Sequence, residues 1–251
     1  IHAQNTASDK ANAGERSALN ISGGDLKRLE IHRGDWAVAE GARFTSTKID
    51  TKVTVLSTEA RPLRNRTPVH IHIGAADITA RLITLEGQEI APGESALVQL
   101  QLNKPVNTVY GERFVLRDQS AFRTVGGGYV VDPSPMTKGR NKPTRLTFLR
   151  AQITPDTDLA LEQLLALELD DFDLAALLNA RNLSEEEAKT LLSKTDTVVI
   201  SHAHGKVAFS KTKWAKLIQS IEQTTRKHHQ KNPDKLGVNE GELIRSFPKR
   251  V

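Results

Sequence analysis

The 251-residue chain has no cysteine, which rules out disulfides and thiolate metal sites and points to a reducing compartment, the cytoplasm. Aromatic residues make up only 4%, so any core must rest on Val, Ile, Leu and Ala. No apolar run approaches the ~18 residues a membrane-spanning helix needs, so no membrane association is expected. The first residues, Ile1-His2-Ala3-Gln4, lack both an initiator Met and a basic-then-apolar leader. The expectation is a piece of a longer protein.

Catalytic signatures are missing as well. There is no Gly-x-x-x-x-Gly-Lys-Ser/Thr loop to cradle phosphates and no Asn-Lys-x-Asp to read guanine; Asn103-Lys104 and Asn141-Lys142 both run into proline. Gly126-Gly127-Gly128 does not open a helix, so it is not a dinucleotide fingerprint. Neither Gly-x-Ser-x-Gly nor His-Glu-x-x-His occurs. His70 with His72, and His202 with His204, sit two apart on strand-like stretches, but no third ligand accompanies either pair. The expectation is therefore no enzyme, no cofactor and no metal in these residues.

Charge is present, and unevenly spread. The net charge is +5. Residues 1–136 are nearly balanced, with 16 basic and 15 acidic side chains, whereas residues 137–150 carry five basic and none acidic. Residues 156–196 carry three basic and eleven acidic, and residues 211–251 ten basic and four acidic. Such segregation suits a polyanion partner that touches only parts of the molecule.

Two textures divide the chain. Up to about residue 150, short apolar–polar alternations such as Lys52–Thr58 and Val69–Ile73 are punctuated by turns at Arg61-Pro62, Thr67-Pro68, Glu86-Gly87, Pro92-Gly93 and Tyr110-Gly111. This spacing predicts a closed antiparallel barrel. Beyond it, Leu159, Leu161, Leu164, Leu165 and Leu167 recur at helical spacing. Ser184 with Glu187 forms a capping box that opens a helix over 185–193. Val198–Ser201 and Lys206–Phe209 then predict a β-hairpin, and helices followed by a hairpin are the sequence order of a winged helix. A basic helix is expected over 213–230, stopped at Asn232-Pro233.

Gly111-Glu-Arg-Phe-Val-Leu-Arg-Asp-Gln-Ser-Ala-Phe-Arg-Thr-Val-Gly-Gly-Gly-Tyr-Val-Val-Asp-Pro133 resembles the third domain of elongation factor Tu relatives, and most closely the selenocysteine-specific (SelB-type) elongation factors. The stretches 11–21, ending near Arg33-Gly34-Asp35-Trp36, and 68–81 resemble the same family. The resemblance implies a mainly β plus α fold: elongation factor Tu-like Greek-key barrels followed by a winged-helix segment. It divides the chain into the end of a second-domain barrel (residues 1–43), a third-domain barrel with a basic connector (44–150), a first winged helix (151–212) and the opening of a second (213–251). It implies a monomeric, cytoplasmic translation component that holds the acceptor and T-stem backbone of selenocysteinyl-tRNA. The GTPase domain, with its GTP and Mg, is expected to lie outside these residues, and the full-length protein to meet the ribosome and the selenocysteine-insertion hairpin of the messenger. The positions matching family motifs are His70, His72, Arg117, Arg123, Thr124 and Gly126, with Arg33 near the aminoacyl end. Lys138, Arg140, Lys142 and Arg145 are expected in a solvated connector. The competing reading is a winged-helix nucleic-acid regulator with a β-barrel sensor. It would require a strongly basic recognition helix, yet the 185–193 segment opens on three glutamates.

Overall fold

A computed structural model describes residues 2–3, 6–7, 10–12, 14–21, 31–38, 45–136, 139–167, 173–202 and 205–246. The chain forms two compact units, residues 1–35 and 36–251. In the first, three two-residue strands, β1 (His2–Ala3), β2 (Thr6–Ala7) and β3 (Ser17–Ala18), pair antiparallel in the order β2-β1-β3. Arg33 lies exposed in a turn closed by a hydrogen bond from the Asp35 amide to the His32 carbonyl (3.2 Å).

The second unit is built on a closed six-stranded antiparallel barrel, the architecture that the alternating pattern predicts. Its strands are β4 (Thr45–Val55), β6 (Pro68–Ile73), β7 (Ala76–Thr84), β9 (Ser95–Asn107), β10 (Arg113–Arg117) and β11 (Thr124–Asp132), in the order β10-β11-β4-β9-β7-β6. Pairing of β10 with β6, Phe114 opposite Ile73 and Leu116 opposite Ile71, closes the ring. Inward residues from every strand, among them Ile49, Val53, Ile71, Leu82, Leu100, Phe114 and Val130, fill the interior. A small two-stranded sheet of β5 (Leu63–Arg64) and β8 (Glu89–Ile90) contributes Leu63 and Ile90 to the same core.

The triple glycine belongs to the wall. β11 is flanked by β10 and β4, with Gly126 opposite Leu116 and Val55, and Gly128 opposite Phe114 and Val53. A Cβ added at Gly126 would stand 2.5 Å from the Thr54 carbonyl oxygen, and at Gly127 2.8 Å from that of Phe114. At Gly128 it would overlap the Lys52 carbonyl and crowd the Phe114 ring. The strands thus approach more closely than side chains permit.

Helix α1 (Pro143–Gln152) lies on the outside of the barrel, packing Leu149 against Leu85, Leu97 and Val131. Part of the stretch expected to be solvated connector is therefore an ordered, half-covered helix. Arg145 in particular is 6% exposed, its guanidinium bound to Asp50 (2.5 Å) and Asp132 (2.6 Å). Five basic residues without an acid look like a connector in sequence, because the acids that neutralise Arg145 come from distant strands. Lys138 lies outside the described residues.

Beyond α1, α2 (Thr157–Ala166), α3 (Leu174–Ala180), α4 (Glu185–Lys194) and the hairpin of β12 (Thr197–His202) and β13 (Gly205–Ser210) share a core of Leu161, Leu164, Leu174, Leu177, Leu191 and Ala208. The Ser184–Glu187 capping box is formed in both directions. A single bridge between Asp173 and Val207 adds a third edge to the hairpin. Ser210 then caps α5 (Lys211–Lys231), which packs Trp214 on Phe209 (5.5 Å between centroids) and is followed by α6 (Glu240–Ser246).

Candidate nucleic-acid interface

The matching residues of the barrel gather on one stretch of its outer surface, and the strand register explains why. Arg117 of β10 is opposite His70 of β6 on one side and Thr124 of β11 on the other. Residues directly opposite share a face, with Cβ atoms about 5 Å apart. A row of imidazole, guanidinium and hydroxyl therefore crosses three strands. In the next row on this face, Val115 lies opposite His72 and Gly127.

A single carboxylate organises the histidines. Asp77, opposite His72 on β7, has Oδ1 3.0 Å from His70 Nδ1 and 3.8 Å from His72 Nε2. The hydrogen bond with His70 is the main reason its carboxyl sits below the usual carboxylate range, with smaller contributions from His72 and Arg117. Two nitrogens of this patch, His72 Nε2 and Arg117 Nε, are shielded from solvent without a hydrogen-bond partner in the structure.

Between β10 and β11 the chain makes a tight tip, residues 118–123. Asp118 Oδ1 accepts from the Ser120 hydroxyl (2.9 Å) and from the amides of Phe122 (3.2 Å) and Arg123 (3.3 Å). Those bonds, the serine's first, hold the Asp118 carboxyl below its ordinary value. Ala121 adopts a left-handed φ of 57°, and its carbonyl accepts from Arg117 Nη1 (3.1 Å). Arg123 projects from the tip with its Nη1 2.6 and 2.7 Å from the two oxygens of Glu59, itself almost covered. Its side chain stays 59% exposed, so the guanidinium is oriented yet open to a further acceptor.

The register thus joins His70, His72, Arg117 and Thr124, and Arg117 carries the row to the tip. Gly126 is buried in the wall rather than presented on the face, and Arg33 belongs to the other unit. Motif matching did not single out Asp77, Glu59 or Phe122. Asp77 does carry a signal, since its place five residues after His72 across a Gly74 turn is hairpin spacing. Glu59, sixty-four residues before Arg123, carries none.

Elsewhere the electrostatics are of opposite sign. The groove between α2 and α4 is lined by Asp158, Glu186 and Glu187 together with Lys194, which approaches Asp158 at 3.5 Å. Among the described residues no group of three or more His, Asp or Glu side chains is arranged to hold a metal ion, and no helix is long and apolar enough to cross a membrane. His204 lies outside the described residues.

Residues 50–137 match the family model for the β-barrel domain of the selenocysteine-specific elongation factor. Proteins named selenocysteine-specific elongation factor are similar over most of the chain. That of Desulfomicrobium baculatum is 33% identical over 195 residues, 78% of this chain and 30% of the relative. That of Escherichia coli strain K12 is 35% identical over 189 residues, 74% of this chain and 29% of the relative. That of Haemophilus influenzae is 26% identical over 245 residues, 98% of this chain and 38% of the relative. The chain thus spans about a third of the length of the relatives it matches.

Proposed function

We propose that this chain, whose barrel is a selenocysteine-specific elongation factor domain, serves selenocysteine incorporation by gripping the backbone of selenocysteinyl-tRNA. The grip falls on the acceptor and T-stem, and the helical region links the barrel to the part of the protein that reads the messenger hairpin on the ribosome. The carrying observation is the row His70–Arg117–Thr124 with Arg123 fixed beside it at the tip. A double-stranded RNA stem offers phosphates and 2′-hydroxyls rather than base edges, and cations with hydroxyls are the groups that bind them. Such contacts position an RNA without reading its sequence. Thr124 supplies the hydroxyl, and the three glycines, Gly126 among them, let β11 run close to its neighbours. Arg33 would meet the RNA nearer its aminoacyl end.

In this reading the chain acts as a monomer in the cytoplasm and performs no chemistry itself. GTP and Mg²⁺ belong to other parts of a longer protein, since no phosphate-cradling loop occurs in these residues. The winged-helix regulator is the weaker reading. The α4 helix, which would have to enter a DNA groove, begins Glu185-Glu186-Glu187 and borders the acidic groove.

The test is a titration of the chain with transfer RNA at two salt concentrations. Affinity should fall steeply as salt rises, because phosphate contacts release counterions. Arg123→Ala and His72→Ala should weaken binding alike for different transfer RNAs, and Arg123→Ala should lower the salt slope by about one. Affinity indifferent to salt, or loss confined to one RNA sequence, would overturn the proposal.

A further inference from the structure

Phe122 is 90% exposed at the tip of the β10–β11 hairpin, the only exposed Phe, Tyr or Trp side chain among the described residues. An exposed ring on a loose loop is unremarkable, but this one is held. Its own amide and that of Arg123 are bound by Asp118 Oδ1, and the Asp118 amide donates to the Arg123 carbonyl at 2.9 Å. The Ala121 amide donates back to the Asp118 carbonyl at 2.9 Å, and Arg117 ties down the Ala121 carbonyl. The residue after the ring is clamped by Glu59. The backbone on both sides of Phe122 is therefore fixed before any partner arrives, so that docking the ring costs little ordering entropy.

The surroundings select the partner. A protein pocket would call for a contiguous apolar patch. Here the ring stands in a polar collar of Asp118, Gln119, Ser120 and Arg123, with the His70–Arg117–Thr124 row behind it. A flat ring beside an oriented guanidinium is the arrangement on which an unpaired base stacks while its phosphate meets the cation. We infer that Phe122 is a stacking platform for an unpaired nucleobase of the bound RNA, a contact additional to the backbone grip. It rests on the reading that this face binds RNA.

The experiment titrates unfractionated transfer RNA, and a blunt RNA duplex without unpaired bases, into the chain and its variants Phe122→Ala, Phe122→Leu, Phe122→Trp and Arg123→Ala. Because Phe122 is exposed, its three variants should unfold at the wild-type temperature. Phe122→Ala should weaken transfer-RNA binding roughly 5- to 30-fold, the equivalent of about 1–2 kcal/mol for one stacked base. Phe122→Leu should lose nearly as much, and Phe122→Trp should bind at least as well with its fluorescence quenched. Duplex binding should be unchanged in all three. If Phe122→Ala binds transfer RNA like wild type while Arg123→Ala binds it more weakly, the stacking inference falls and the backbone grip stands. Equal loss on duplex and transfer RNA, or full rescue by Leu, also overturns stacking. If the unaltered chain binds neither RNA, both proposals fall.

Discussion

The guanidinium of Arg145 donates to the carboxylate of Asp50 at 2.5 Å, joining residues ninety-five positions apart at the seam between α1 and the barrel. Asp50 is fully buried, and its Oδ1 accepts from Gln99 Nε2 (2.9 Å), while the same arginine also holds Asp132. Burial pushes the Asp50 carboxyl upward and Arg145 opposes it. On Arg145 burial acts downward, but Asp132 and Asp50 outweigh it, and the group is raised. Arg145→Ala would strand a buried carboxylate, so it should cost about 3–5 kcal/mol in denaturant unfolding. Replacing the group together, as Asp50→Leu with Arg145→Met, should recover part of that loss. A single variant as stable as wild type would show that the pair is not a fastening.

Tyr110 fastens the same seam from the other end. Its hydroxyl donates to the carbonyls of Ile153 (3.0 Å) and Thr154 (3.2 Å), its amide donates to Ala180, and the Arg181 guanidinium lies 4.0 Å over its ring. Tyr110→Phe keeps the ring under Arg181 and removes only the hydroxyl. Stability should drop by about 1–2 kcal/mol, measured by denaturant unfolding. Arg181→Ala should cost more, because its guanidinium also satisfies the Gln152 and Thr154 carbonyls.

Gly128→Ala should prevent the barrel from closing, since the added carbon overlaps the Lys52 carbonyl and no side chain can yield. The expected penalty exceeds the ~3 kcal/mol upper range of ordinary overpacking, because backbone has to move. Gly237→Ala, where nothing lies within 4 Å, is the control and should leave the unfolding curve unchanged.

The hairpin tip should loosen in acid. The native loop favours ionised Asp118, whose carboxyl sits below its ordinary value through bonds from Ser120, Arg123 and Phe122. The support is therefore complete above the unfolded value near ~4 and disappears as pH falls through the lower folded value. The protection of the Phe122 and Arg123 amides, taken against the intrinsic exchange rate at each pH, should fall over that interval, and Asp118→Ala should show the low protection at every pH. Protection that persists to the lowest pH would contradict the role given to Asp118.

Much of the fold follows local rules that a sequence displays. Val69, Ile71 and Ile73 alternate with His70 and His72, so the inner and outer faces of β6 are legible without coordinates. Ser184 and Glu187 announce the start of α4 because a capping box needs only residues three apart. The residue motif around 111–133 pointed to the family that the barrel matches. By contrast, α1 was not legible: its mixed residues carry no clean helical stripe, and its burial comes from Leu85, Leu97 and Val131 on distant strands.

The sequence by itself determined the period of each element, the turns between them and the supply of cations, because these depend on neighbours along the chain. Only the tertiary structure decided which cations are spent inside the protein and which face outward. Arg145 and Arg123 look alike as isolated basic residues, yet barrel closure sets Asp50 and Asp132 against the first in a buried seam, while the second meets Glu59 and Asp118 at a tip that leaves its side chain 59% exposed. The physical reason is that a charge's fate depends on the dielectric and the partners around it, and those are set by strand register rather than by sequence proximity.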